Sequence, residues 1–97
     1  MPAYIVSIVV IHDPEGFAEY GGRAPATVEQ YGGRFLARGG ETEVLEGEWE
    51  PNRLVILEFD SAEQARRWYS SEEYQAILGM RQRTATTDLV LVEGVNS

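Results

Sequence analysis

Residues 3–11, 53–59 and 88–92 are apolar at odd and even positions alike, and no other feature constrains the fold as much. A strand with one face in water alternates apolar and polar residues. The first of these segments instead offers Tyr4, Val6, Ile8 and Val10 to one side and Ala3, Ile5, Val9 and Ile11 to the other. The second sets Leu54 and Ile56 against Val55, Leu57 and Phe59, and the third sets Leu89 and Leu91 against Val90 and Val92. A sheet built from such strands needs cover on both faces.

The segments between them supply one layer of cover. Pro2 and the His12-Asp13-Pro14 stop bound the first strand, with Asp13 suited to cap a helix and Pro14 to open it. Phe17, Tyr20, Ala24, Val28 and Tyr31 then recur at helical spacing. Gly21-Gly22 and Pro25 interrupt that stripe and predict a kink or break; Gly32-Gly33 predicts a left-handed helix end. A second strand is expected over 34–46, bulged at Gly39-Gly40, followed by a turn over 47–52. Ser61 to Gln64 has capping-box form, with Gln64 reaching back, and opens a helix that packs Ala62, Ala65 and Trp68 or Tyr69 inward. Ser71 caps a short helix carrying Tyr74, Ile77 and Leu78, and residues 79–87 read as a polar connection, either irregular or partly helical, to the last strand.

This βαββαβ order is that of an α+β, ferredoxin-like sandwich with antiparallel sheet order 4-1-3-2 and both helices on one face. The uncovered apolar face predicts a homodimer paired sheet against sheet, with the contacting side left open. The 97 residues form one domain, 1–97, that buries about 65% of its unfolded surface. A formal charge of -8, with every basic residue an Arg, argues against nucleic acid or an anionic membrane as partner. The absence of Cys removes disulfides, thiolate catalysis and zinc–thiolate sites. The apolar N-terminal run lacks a basic leader and is too short to span a bilayer, so a cytoplasmic location is expected.

YGGRFLARGG, the EGEW-x-P-x-R turn and the WYSSEEY helix start, together with the first strand, are collinear with a known pattern. Through them nearly the whole chain resembles the bacterial domain-of-unknown-function family 1330 (DUF1330). The resemblance implies a dimeric α+β barrel, in which ferredoxin-like subunits pair through their sheets. It also implies a small-molecule site between sheet and helices, since relatives include small monooxygenases, haem-degrading oxygenases and lactone isomerases. Fold alone does not transmit those activities.

Four groups of residues are candidates for a site. His12, ending the first strand, is either a general base or an ordinary turn histidine. Arg34, Arg38 and Glu58 are expected near one another, with Glu58 beside Arg38; the group is either a ligand-orienting cluster or a structural ion pair. Glu46 and Arg53 are expected as a cross-strand pair flanking Trp49; Trp49 and Arg53 serve as a dimer contact, or the turn tryptophan is a lid. Trp68, Tyr69 and Tyr74, followed by Arg81, either line a cleft against the sheet or are plain core. The remaining acidic residues read as solvated surface, with Glu41 and Glu43 guarding an edge strand.

No phosphate-cradling loop, metal-binding histidine pair or nucleophile elbow is present, and no cofactor is called for. Two readings remain: a dimer binding a small organic molecule between sheet and helices, and a cofactor-independent enzyme using His12 or a Tyr as base and Arg38 as electrophilic partner.

Overall fold

The computed structural model describes residues 1–95. Its elements are β1 (Ala3–Ile11), α1 (Pro14–Gln30), β2 (Arg34–Arg38), β3 (Leu54–Phe59), α2 (Ala62–Ser70), α3 (Glu72–Thr84) and β4 (Ala85–Glu93). The strands join antiparallel in the order β2-β3-β1-β4, which is the expected 4-1-3-2 read from the other edge. Odd positions of β1 and β3 face the helices, where Ala3, Ile5, Val9, Leu57 and Phe59 are buried. Trp68 and Tyr74 complete that layer, with ring centroids 4.2 Å apart and Phe59 5.6 Å from Trp68. Even positions form the opposite face, which no helix covers; there Val90 is 58% and Val92 48% exposed.

Asp13 caps α1 by accepting from the Gly16 amide. The helix then runs unbroken through Gly21-Gly22 and Pro25, against the expected break. Pro25 withholds the amide that would bond to the Gly21 carbonyl one turn back. A guanidinium N–H of Arg38 donates to that carbonyl instead, so only one backbone hydrogen bond is replaced and the helix continues. Gly32, at φ +79°, ends it as anticipated. Gln64 does not reach back to its own cap: its Nε2 donates to the Tyr31 carbonyl at 2.6 Å, so α2 satisfies the end of α1. Ser61 caps α2, and Ser71 both closes α2, by donating to the Trp68 carbonyl, and opens α3, by accepting from the Tyr74 amide.

Two expected boundaries move. β2 ends at Arg38 rather than 46, because Gly39 at φ +69° turns the chain out of the sheet. The bulge lies at Leu36, between the pairs Phe35↔Leu57 and Ala37↔Ile56, rather than at Gly39-Gly40. Glu41 and Glu43 therefore sit on a long exposed connection and guard no strand edge. The stretch expected as a polar connection is helical to Thr84, and β4 starts at Ala85 instead of Asp88. The helical row Tyr74, Ile77, Leu78 continues inward through Arg81 and Thr84, two polar residues that disguise it. No described helix is long and apolar enough to cross a membrane.

Candidate functional site

A cavity of about 50 Å³ lies between the helix layer and the sheet, bounded by β1, β3, α1, the end of β2 and α3. Its apolar walls include Ile5, Val9, Phe17, Val28, Val55 and Leu57, and its polar groups are Ser7, Tyr20, Tyr74, Arg38, Arg53 and Arg81. No Asp, Glu or His is among the residues that line it.

Each arginine arrives by a different local device. In strict alternation with Arg34, Arg38 would lie on the uncovered face. The extra residue at Leu36 restarts the alternation, setting Arg38 opposite Val55 on the helix side. There it bonds Gly21 and lies over the Phe35 ring, 4.9 Å from its centroid. Arg53 shares the parity of Val55, Leu57 and Phe59, and its carbonyl accepts from the Val9 amide at 2.8 Å. Its guanidinium lies 5.6 Å from the Phe17 centroid, in space that any side chain at Gly39 would occupy. Its Nε is buried without a hydrogen-bond partner.

Arg81 is 8% exposed and donates from Nη1 to the Tyr74 hydroxyl at 2.9 Å, while its Nε is also buried and unpartnered. The Tyr74 and Tyr20 hydroxyls are 2.7 Å apart. Tyr74 is fully buried, so its proton needs an acceptor, and Tyr20 is the one in reach. That arrangement leaves the Tyr20 proton free to donate elsewhere. Burial first, and then the neighbouring Tyr20, push the Tyr74 phenol far above its ordinary value, with Arg81 offsetting part of the rise. Tyr74 is a neutral hydrogen-bond link, not a base.

The expected site residues separate. Trp68 and Tyr74 line the cavity, but the Trp68 indole N–H is already satisfied by Thr27 at 3.1 Å. Tyr69 lies instead on an adjoining open groove of about 690 Å³, which Arg81 also borders. Glu58 is not beside Arg38. The register sets it opposite Arg34 on the uncovered face, where the two form an ion pair. His12 lies outside the cavity lining, exposed, with Nε2 2.7 Å from the Thr86 hydroxyl. Arg53 does not pair with Glu46; it faces the helices and lines the cavity, while Trp49 is 62% exposed on the connection after β2. Among the described residues no cluster of three His, Asp or Glu could hold a metal.

Ser7 and Tyr20 are the lining residues that sequence reasoning missed, and Arg53 was expected at the hairpin and not in the cavity. Two of them carried a signal in their parity: Ser7 interrupts the inward row Ala3, Ile5, Val9, and Arg53 begins the inward row of β3. Tyr20 was legible as core, but not its contact with Tyr74, which is 54 positions away.

Solved structures share this fold. A protein of unknown function from Rhodopseudomonas palustris, RPA0582, is 18% identical with a TM-score of 0.78, over 99% of this chain and 84% of that one. SnoaB, a cofactor-independent oxygenase from Streptomyces nogalater, is 14% identical with a TM-score of 0.67, over 99% and 95%. A dimeric ferredoxin-like protein of unknown function from Jannaschia sp. CCS1 is 12% identical with a TM-score of 0.72, over 97% and 100%. At these identities the likeness speaks for the fold alone. No curated protein matches the chain. The family model described as Domain of unknown function (DUF1330) matches residues 2–95, in line with the motifs and the fold, and the chain belongs to that family.

Proposed function

We propose that the protein binds a small organic molecule between its sheet and its helices, as one subunit of a homodimer paired through the uncovered sheet face. The observation that carries this reading is the cavity itself: apolar walls with arginine and tyrosine groups whose hydrogen-bonding capacity is only partly used. The dimer rests on the apolar residues of the uncovered face, Val6, Ile8, Leu54, Ile56, Val90 and Val92, and draws support from the dimeric Jannaschia neighbour. Trp49 serves as a contact for the partner subunit on this reading, since a large exposed aromatic on a connection suits an anchor. The place of work on this reading is the bacterial cytoplasm.

An enzyme of the cofactor-independent oxygenase kind is the weaker alternative. A base of ordinary carboxylate or imidazole pKa is missing from the cavity lining, and Tyr74 is held neutral. Native mass spectrometry of the protein purified from its own host tests the binding reading. The expected species is two chains carrying a retained small molecule; a bare monomer at micromolar concentration would remove both halves of the proposal.

A further inference from the structure

We infer that the ligand is a compact organic monocarboxylate, held through its carboxylate by Arg53 and Arg81. The inference rests on the binding reading above and narrows it to a ligand class.

Charge is the first ground. The chain carries 16 acidic residues against 8 basic ones. The ion pairs among the described residues, Arg23–Glu19, Arg34–Glu58 and Arg67–Glu63, all lie outside the cavity. Arg38, Arg53 and Arg81 line it with no carboxylate beside them. Arg38 is exposed and bonds Gly21, so water and that carbonyl serve it. Arg81 is more than nine-tenths buried and Arg53 is half-buried, and each keeps an Nε with no acceptor. A buried guanidinium without a counter-charge is unstable unless an anion is supplied. In so acidic a chain, the lack of a carboxylate at this one place leaves that role to a ligand. A carboxylate matches the planar guanidinium fork, and the Tyr20 proton adds a donor for the same group.

Size and wall chemistry are the second ground. A water needs roughly 10–15 Å³ of such space, so the cavity of about 50 Å³ offers about four positions of that size. A carboxylate with a body of one to three carbons fits that room, and Val9, Phe17 and Val55 provide apolar contact for the body. Inorganic anions would leave those walls facing a hydrated ion.

The test is an amide-detected NMR titration of the full chain in low-chloride buffer. The probes are acetate, propionate and butyrate, each against its shape-matched neutral amide, with chloride as a further probe. The expected result is saturable binding of at least one acid, with Kd on the order of 1 mM and shifts at Val9 and Val55. The matching amide should bind at least about tenfold more weakly, since a neutral group forgoes the charge-assisted bonds. Arg53→Gln should weaken the acid by about tenfold without changing the far-ultraviolet circular dichroism. Arg81→Gln is not relied on, because Arg81 also supports Tyr74. Equal binding of acid and amide at the same residues overturns the carboxylate assignment while leaving small-molecule binding standing. Chloride binding as tightly as the acids overturns it too, as does the failure of every acid to saturate. If, in addition, the protein from its host retains nothing, the binding reading falls with it.

Discussion

Arg38 donates to the carbonyl of Gly21, the acceptor that Pro25 leaves without a partner four residues later in the same helix. The contact joins the end of β2 to the middle of α1 and explains how a proline sits inside an unbroken helix. It also yields a double-mutant test. Arg38→Ala should cost about 1 kcal/mol in the wild-type chain, the range of a hydrogen bond from a charged donor at a solvated site. In a Pro25→Ala background, where the helix supplies its own donor, the same change should cost close to nothing. Denaturant unfolding of the four variants measures the difference; equal costs in both backgrounds would show that Arg38 acts through something other than this carbonyl.

The two faces of the sheet should answer differently to a charge. Val9 is 3% exposed beneath the helices, so Val9→Asp should leave no folded protein. Ile56 lies on the uncovered face, and Ile56→Asp should keep the circular dichroism of the wild type while sedimenting as a monomer. If Ile56→Asp remains a dimer in the ultracentrifuge, the subunits pair through some other surface.

Two glycines with ordinary backbone angles make a matched pair. A Cβ at Gly33 would stand 2.5 Å from the Phe59 ring and 2.9 Å from Val28, both buried. Gly33→Ala should therefore lose about 1–3 kcal/mol of stability through overpacking. Gly40 has nothing within 4 Å, so Gly40→Ala should be neutral or gain up to about 1 kcal/mol through the unfolded chain. Thermal melts of the two proteins read the contrast directly.

The pH dependence has an alkaline and an acid limb. Tyr74 ionises in the unfolded chain near its ordinary value of 10.0 but is held neutral when folded. Its contribution is complete below that pH and is lost as pH rises above it. Absorbance at 295 nm should show one tyrosine that titrates only on unfolding, and Tyr74→Phe should remove that component. At the other end, the Tyr31 hydroxyl bonds Glu73 and holds its carboxyl below the ordinary 4.5. That stabilisation is present above 4.5 and disappears as pH falls through the lower folded value. Glu73→Gln should flatten the acid limb of a stability curve; an unchanged limb would place the sensitivity in other carboxylates.

Element order, sheet order and most caps were legible in the chain, because they rest on local chemistry. Asp13, Ser61 and Ser71 cap where short polar side chains precede helical stripes, and Gly32 ends α1 where only a glycine adopts the angle easily. What escaped depended on register. Antiparallel pairing alone does not say which strand-two arginine meets Glu58; the register gives it Arg34, and a bulge at Leu36, which no residue type announces, turns Arg38 to the other face. Arg81 hid the last two turns of α3, since a buried arginine in a helical row reads as surface until its partner Tyr74 is known. The cavity was foreseen as a place between sheet and helices, and Arg38 and Arg81 were candidates for it separately, but their meeting with Arg53 was not. Their gathering needs α3, β3 and the end of β2 to be in position together.

The single unpaired residue at Leu36 decides which side of the sheet receives the cation at position 38. Were Leu36 drawn into the ladder, plain alternation from Arg34 would carry Arg38 through the sheet to the uncovered face, opposite Leu54. The cavity would lose one positive charge, and the surface on which the subunits are proposed to meet would gain it. The looped-out residue thus ties the charge of the pocket to that of the proposed assembly surface, two traits that share no atoms.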